Sequence, residues 1–295
     1  MDLATGDLDQ FEVREPVKQT IPFVFNSPHS GRRYPPEFLA NSNLDAIAIR
    51  RSADHYVDDI FADAPELGAP LLLAHFPRAY LDVNREPYEL DPRMFDGPLP
   101  SYVNIGSMRV AGGLGTIPRI VAENMEIYRR RLPVHEALSR IETLYKPYHA
   151  CLRKLIASTH ARFGLCVLID CHSMPGNIRL AGSDVRPDFI IGDRYGTSAS
   201  AELSRAALHF LEGMGFSAVR NKPYAGGFIT EHYGRPVRGL HALQIEINRA
   251  LYVDEMTLEK RPDFPVIAAA LSTFMRQMAD FVGDFSGSNS ALAAE

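Results

Sequence analysis

Polar residues of types that carry out catalysis follow or interrupt four strand-like apolar runs of the sequence. The run at 21–27 precedes His29, the run at 79–83 precedes Asn84 and Arg85, the run at 165–170 precedes His172, and the run at 242–247 contains Glu246. In open α/β sheets a ligand site lies outside the carboxyl ends of the strands, where such residues meet in one crevice. The pattern therefore predicts that two imidazoles, a glutamate and an Asn-Arg pair share one site.

Two histidines and a carboxylate are a typical ligand set of a catalytic zinc ion, whose fourth position is left to water. Bound Zn²⁺ lowers the pKa of that water to about 7 and polarises a carbonyl group. We therefore predict that His29 and His172 are metal ligands. We expect one Zn²⁺ per chain, although this ligand set also suits another divalent metal.

The carboxylate ligand has to come from another segment, because no H-x-x-E motif begins at His29. The best source is a predicted helix over 44–64, which carries a cluster of aspartates. Asp54 lies near the buried margin of that helix and is our choice for the third ligand. Asp58, four residues further along the same face, is the alternative, and His55 ranks below both.

Glu246 is the candidate general base, because it lies on a buried strand between two isoleucines. A hydrolytic metal site needs a group that takes the proton of water, and burial raises the pKa of a carboxyl group toward neutrality. The alternative is a structural glutamate that pairs with Arg249 or Arg85.

Arg85 is the candidate anchor for a substrate carboxylate, since a guanidinium forms bidentate pairs with carboxylates. Asn84 can donate to the same carboxylate or to the scissile carbonyl oxygen. The alternative role for Arg85 is an ion pair with Asp82 or Glu86.

Composition limits the classes of partner. The 295 residues include 31 Lys and Arg against 36 Asp and Glu, for a formal net charge of −5, and no basic tract. Phosphate backbones and anionic lipids bind clustered Lys and Arg, so we expect neither nucleic acid nor membrane as a partner. No apolar stretch reaches the ~18 residues of a membrane span. The first residues lack an apolar signal core, so we expect a cytoplasmic protein. We also expect a small-molecule substrate and either a monomer or a homodimer.

Two common catalytic motifs are missing, and the cysteines do not form a framework. The glycine-rich stretch at 112–115 lacks the Gly-Lys-Ser/Thr of a phosphate loop, and no G-x-S-x-G elbow supports a serine hydrolase. Cys151, Cys166 and Cys171 cannot all pair, and we expect reduced, buried thiols.

Alternating strands and helices predict a single α/β domain with a mostly parallel, mixed central sheet and helices on both faces. We assign 1–20 to a lead-in, 21–285 to the domain and 286–295 to a flexible tail. Strands are predicted at 21–27, 70–76, 79–83, 165–170, 188–192, 216–220 and 242–247. Helices are predicted at 44–64, 126–163 with breaks near Pro133 and Pro147, 197–213 and 263–283.

Seven short motifs together resemble the N-formylglutamate amidohydrolase (N-formylglutamate deformylase) family. They are SPHSGR at 27–32, ADHYVD at 53–58, LGA at 67–69, RAYLDVNR at 78–85, DCHSMP at 170–175, NKPYAGG at 221–227 and QIEI at 244–247. The resemblance runs from about residue 21 to 283. The His-Ser-Gly-Arg, Asp-x-Asn-Arg and Asp-x-His-Ser motifs are its more specific parts.

The resemblance implies a fold and a set of roles. The family is similar in fold to zinc carboxypeptidases and aspartoacylases, which use two histidines and a carboxylate for zinc, a late-strand glutamate as base and an Asn-Arg pair for the substrate carboxylate. By that pattern His29 and His172 bind the metal, Glu246 is the base, and Asn84 and Arg85 bind substrate. Asp54 remains our choice by position, since the H-x-x-E alternative is missing.

The implied activity is zinc-dependent hydrolysis of N-formyl-L-glutamate, or a related N-acyl amino acid, to the free amino acid and formate. Arg179, shortly after the turn at 174–176, is a further candidate for the oxyanion or for a second carboxylate. Two alternatives stay open: hydrolysis of another N-acyl amino acid or small amide, and a non-catalytic protein that binds a small ligand with this fold.

Overall fold

The computed structural model describes residues 10–182 and 184–292, with side chains described up to Gly283. The strands are β1 (Phe11–Arg14), β2 (Phe23–Ser27), β3 (Leu71–Ala74), β4 (Phe95–Asp96), β5 (Ile120–Ala122), β6 (Met125–Glu126), β7 (Leu132–Pro133), β8 (Cys166–Met174), β9 (Phe189–Gly192), β10 (Ala218–Arg220) and β11 (Leu240–Asn248). The helices are α1 (Pro36–Ala40), α2 (Val57–Ile60), α3 (Met108–Ala111), α4 (Val134–Arg140), α5 (Lys146–Phe163), α6 (Ala201–Gly213), α7 (Phe228–Tyr233) and α8 (Phe264–Leu292). None of these described helices combines the length and the apolar composition that a membrane crossing requires.

One mixed sheet organises the described part of the chain. Its seven strands run in the order β1-β3-β2-β8-β11-β9-β10. The four central strands β3, β2, β8 and β11 are parallel, whereas β1 pairs with β3, and β9 with β11, in antiparallel fashion. This confirms the predicted mixed α/β fold of a single domain.

Alternation along β8 explains why helices cover both faces of the sheet. Val167, Ile169 and Cys171 pack into one buried cluster with apolar residues of α2, α6 and α8. Cys166 and Leu168 pack on the opposite face, in a second cluster with α5 and α7. Because successive strand residues point to opposite faces, Asp170 and His172 lie on the α5 side of the sheet.

The register of the central strands brings the functional residues side by side. Asp170 pairs with Asn26 of β2 on one side and with Gln244 of β11 on the other. One pleat further along, His172 pairs with Glu246. Neighbouring strands are about 4.8 Å apart, so this row places imidazole and carboxylate groups at the carboxyl end of the sheet.

The predicted helix over 44–64 is wrong for most of its length. Only a 3₁₀ turn and the four residues of α2 are helical there. The apolar spacing is real, because Ile49, Val57 and Phe61 are buried. The backbone, however, turns away from a helix where the amide of Asp54 donates to the carbonyl of His29, and Tyr56 adopts a φ of 59°.

The predicted strand over 79–83 is also wrong. Its backbone forms turns in which Tyr80 and Leu81 donate to the carbonyl of Pro77. The apolar residues Leu81 and Val83 are nevertheless buried, because they pack into the α5-side cluster without a sheet partner.

The predicted helix over 126–163 begins later and is less interrupted than expected. It begins at Val134 and passes through Pro147, with a π-helical stretch at Ile141–Tyr145 between α4 and α5. Proline lacks the N–H that an α-helix interior requires, and the wider π turn ends two residues before Pro147.

Both termini contain structure that the sequence did not indicate. β1 lies within the predicted lead-in and pairs with β3 at the edge of the sheet. The closing helix, predicted to end at 283, is α8 and extends to Leu292, so it covers part of the predicted tail. The rest of that tail, 293–295, and residues 1–9 lie outside the described residues. The three cysteines are free thiols, two of them buried.

Replacing Gly31 by Ala should lower the free energy of unfolding by about 1–3 kcal/mol. Gly31 lies in the loop that carries His29, and a methyl group at this position would overlap the backbone carbonyl of Phe76. Urea denaturation measures the change. The matched control is Gly213→Ala in α6, where nothing lies within 4 Å of the added carbon, and equal effects of the two variants would contradict the expectation.

Candidate metal centre and active site

Three buried side chains form a compact group at the carboxyl end of the sheet. His29 follows β2, His172 lies near the end of β8, and Asp54 precedes α2. One ligand atom from each lies within 4.8 Å of the others. The ring centroids of the two histidines are 4.9 Å apart. The structure thus brings together the three predicted metal ligands.

A carboxylate contacts the Nε2 atom of each histidine and orients its ring. His29 Nε2 lies 2.8 Å from Asp82 Oδ1, and His172 Nε2 lies 2.8 Å from Asp170 Oδ2. The two Nδ1 atoms therefore face the same point, where Asp54 Oδ2 is 3.4 Å from His29 and 2.9 Å from His172. Metal-binding histidines commonly have their second nitrogen held in this way by a carboxylate.

Further hydrogen bonds fix these carboxylates. Asn26 donates to Asp170 Oδ1 over 2.7 Å and itself accepts from the hydroxyl of Tyr148. Ser173 donates to Asp54 Oδ1 over 3.0 Å. All of these groups are buried, so the donor atoms of the group are held before any ligand arrives.

The donor set fits a divalent cation. His29 Nδ1 is buried and has no hydrogen-bond partner, which leaves a free lone pair aimed into the group. Asp54 has no lysine or arginine partner among the described residues, and a buried carboxylate without a cation is costly. Burial raises the pKa of Asp54, but the two histidines outweigh that effect and hold it well below its usual range. Asp54 is therefore an anionic carboxylate beside two histidines, and these are the donor types that zinc takes in proteins.

Glu246 has the environment of a general base. Its side chain lies in β11 beside His172 and is almost fully buried. Burial raises the pKa of its carboxyl group to about 7. Oε1 accepts a hydrogen bond from Gln244 over 2.7 Å. Among the described residues no arginine forms an ion pair with Glu246, so the alternative of a pairing with Arg249 or Arg85 is not what the structure shows.

The metal group, which consists of His29, Asp54 and His172, lines one cavity of about 640 Å³ together with Glu246. Six arginines line this cavity: Arg51, Arg78, Arg85, Arg109, Arg194 and Arg249. The carboxylates among its lining residues are Asp54, Asp82 and Glu246. Such an excess of guanidinium groups favours an anionic ligand.

Asn84 and Arg85, the predicted substrate-binding pair, form hydrogen bonds with other residues of the protein. The Asn84 amide donates to Asp170 over 3.2 Å and lies 3.1 Å from His172 Nε2, and its oxygen accepts from the backbone of Ile229. Arg85 donates to the carbonyls of Leu114 and Asn84 and lies 3.5 Å from Asp82, one of its two alternative partners. Both residues line the cavity, so they can position the metal group and still face a ligand.

Other predicted candidates lie outside the metal group. Arg179 is half exposed, pairs with Asp184 and does not line the cavity. Asp58 pairs with Arg32, and His55 lies 3.0 Å from the carbonyl of Arg50. The structure therefore favours Asp54 over both alternatives as the carboxylate of the group.

The sequence reasoning missed Asp82 and Asp170, although a signal was present. Each aspartate stands two residues before a site residue, in Asp-x-Asn-Arg and Asp-x-His-Ser. In a strand, residues two apart share a face, so Asp170 had to lie beside His172. For Asp82 the same spacing occurs in a turn, where no such periodicity applies.

Replacing Asp170 by Asn should weaken zinc affinity by about 10–100-fold, the usual effect of losing a carboxylate behind a ligand histidine. Competition with a chromophoric chelator measures the affinity. Asp63→Asn, at an exposed position, is the matched control. Wild-type affinity in the Asp170 variant would show that this carboxylate does not support the metal group.

Comparison with known proteins agrees with the fold and the motifs. The family model of N-formylglutamate amidohydrolase matches residues 21–253. The crystal structure of N-formylglutamate amidohydrolase from Ralstonia eutropha JMP134 is 34% identical, with a TM-score of 0.87, over 93% of this chain and 99% of that one. N-formylglutamate deformylases from Pseudomonas aeruginosa and Pseudomonas putida are 29% and 27% identical over 80% of this chain and 83% of theirs. The chain therefore belongs to the N-formylglutamate amidohydrolase family.

Proposed function

We propose that this protein is a zinc-dependent amidohydrolase that cleaves N-formyl-L-glutamate to glutamate and formate. The observation that carries the proposal is the buried group of His29, Asp54 and His172, which shares one arginine-lined cavity with Glu246. The names of the related deformylases support the substrate. The arginines support it independently, because N-formylglutamate carries two carboxylates.

The metal ligands in this proposal are His29 Nδ1, His172 Nδ1 and a carboxylate oxygen of Asp54. When bound, the ion supplies Lewis acidity, which polarises a carbonyl group and acidifies water. Asp82 and Asp170 hold the two imidazoles and Ser173 holds the carboxylate of Asp54, so little reorganisation is needed when the ion arrives.

Glu246 moves the proton. Gln244 occupies Oε1, which leaves Oε2 as the atom that takes a proton from the attacking water. The same oxygen then gives that proton to the departing nitrogen of the amino acid. A carboxyl group whose pKa is near 7 suits both transfers, because neither protonation state is strongly favoured at neutral pH.

Arg85 anchors one carboxylate of the substrate. It lies at the cavity wall next to Asp82, the carboxylate that contacts His29. We assign it the α-carboxylate, which is close to the scissile amide and must therefore be bound close to the metal group.

Hydrolysis of a panel of N-formyl and N-acetyl amino acids tests the function. We expect formate release from N-formylglutamate to exceed that from N-formylglutamine and N-formylmethionine, and to disappear with a chelator and return with zinc. Chelator-insensitive hydrolysis would contradict the metal mechanism. A metal-loaded protein that hydrolyses none of these amides would instead favour a ligand-binding role.

A further inference from the structure

We propose that Arg249 binds the side-chain carboxylate of the substrate and thereby selects dicarboxylic N-acyl amino acids. This inference rests on the proposed function and adds a specificity residue to it. Arg249 comes directly after β11, three residues beyond Glu246. Only 6% of the residue is exposed, yet it lines the active-site cavity.

The guanidinium of Arg249 has bonding capacity that the protein does not use. Its Nη1 donates to the carbonyl of Arg51 over 2.8 Å. Its Nε is buried and has no hydrogen-bond partner. A buried donor without a partner is costly, and Arg249 lines the cavity, so the geometry favours a ligand that supplies an acceptor to this guanidinium.

One protein carboxylate lies near Arg249 but does not saturate it. Glu255 Oε1 is 3.7 Å from Nε, beyond hydrogen-bond distance. The other oxygen of Glu255 accepts from the backbone amide of Gly176 over 3.0 Å, which fixes the position of this carboxylate. Most of the five N–H groups of the guanidinium thus remain for a bidentate ligand.

The other arginines of the cavity have closer acidic partners or are more exposed. Arg78 and Arg85 share Asp82, and Arg194 lies 2.6 Å from Glu231. Arg109 lies 3.7 Å from Glu89 and Arg51 is exposed. Arg249 is therefore the buried cavity arginine with a donor that still lacks an acceptor.

Position along the strand favours the distal carboxylate. A strand rises about 3.3 Å per residue, so three residues place the backbone of Arg249 up to roughly 10 Å from that of Glu246. Its hydrogen bond runs to Arg51 and its ion pair to Glu255, whereas Arg85 contacts the aspartate that supports His29. A carboxylate at the far end of a glutamate side chain, rather than one beside the scissile bond, matches this separation.

The test compares two substrates in wild type and in Arg249→Met. We expect the variant to lower kcat/KM for N-formylglutamate by about 100-fold, as for loss of a charged hydrogen bond, and to leave that for N-formylglutamine within about threefold. Arg249→Lys keeps the positive charge but cannot form a bidentate pair with a carboxylate. This variant should retain part of the preference for N-formylglutamate over N-formylglutamine. Arg205→Met, at a surface arginine of α6, is the matched control.

A binding measurement separates this inference from the proposed function. Calorimetry with glutarate and with its monoamide, neither of which can be hydrolysed at a formyl group, should show tighter binding of glutarate in wild type and equal binding in Arg249→Met. If wild type hydrolyses N-formylglutamate but Arg249→Met keeps the same preference for it, the inference is wrong and the function stands. If wild type does not hydrolyse it but binds glutarate through Arg249, the function is wrong and the subsite stands.

A structural role for Arg249 predicts a different result. In that case Arg249→Met would reduce activity toward both substrates equally and lower thermal stability, because the hydrogen bond to Arg51 is lost. Equal losses in Arg249→Met would leave the preference for N-formylglutamate unchanged and would overturn the proposal. If the variant were poorly folded, the lack of a preference for glutarate in wild type would overturn it instead.

Discussion

Replacing Glu246 by Gln should lower kcat for N-formylglutamate by about 10²–10⁴-fold, the usual contribution of a general base. The amide has nearly the same shape but cannot take a proton from water. Since Glu246 is not among the metal group, the variant should still bind one equivalent of zinc. Steady-state kinetics and metal analysis of the same sample measure both effects.

The matched control for this variant is Glu142→Gln, at an exposed helix position where the carboxylate pairs with Lys146. It should have wild-type kinetics. Near-normal turnover in Glu246→Gln would remove the proposed base and leave the cavity without an assigned proton acceptor.

The pH profile of the wild type should report the same group. Burial raises the pKa of Glu246 to about 7, and only the ionised carboxylate acts as a base. kcat/KM should therefore fall as pH decreases through the folded-state pKa. A bound cation favours the carboxylate, so this acid limb should lie at or below pH 7, and it should be missing in Glu246→Gln.

Replacing His172 by Ala should remove both bound zinc and activity, with a loss in kcat/KM of roughly 10³-fold or more. A Lewis acid contributes several kcal/mol of transition-state stabilisation, and each 1.4 kcal/mol is a factor of ten in rate. Metal analysis and hydrolysis of N-formylglutamate measure the two losses.

His135→Ala, at an exposed position of α4, is the control and should keep metal and activity. A His172→Ala protein that retains one equivalent of zinc would show that the ion is bound elsewhere. A protein that loses zinc but not activity would remove the metal from the reaction.

The central strands were predictable because burial imposes a simple pattern on them. β8 and β11 lie between neighbours in the sheet and under helices on both faces, so their sequences are short apolar runs interrupted by polar residues. The polar residues that interrupt such a run, His172 and Glu246, are therefore conspicuous in the amino-acid sequence itself. The same reasoning found His29 after β2.

The region around Asp54 was only half predictable. Hydrophobic spacing identified which residues between 44 and 64 are buried, but it could not show that the chain leaves the helix to bring Asp54 to the histidines. That turn depends on a tertiary hydrogen bond between Asp54 and His29, and on the left-handed Tyr56. Neither has a local sequence signature that outweighs helical spacing.

The roles of the arginines could not be assigned from sequence. Arg85 was conspicuous after an apolar run, but its partner Asp82 and its contact with Leu114 depend on the folded loop. Arg249 was considered only as a partner for Glu246, because strand order alone does not show which donors remain unpaired. Arg179 stood close to His172 in sequence, yet the chain carries it to the surface.

Anomalous X-ray diffraction at the zinc edge, from crystals of the purified protein, can locate the ion by its own scattering. We expect one strong peak per chain, within coordination distance of His29 Nδ1, His172 Nδ1 and an oxygen of Asp54. A chain with no peak at this position, or with its zinc bound by other residues while His172 stays hydrogen-bonded to Asp54, would contradict the metal site and the hydrolytic mechanism derived from it.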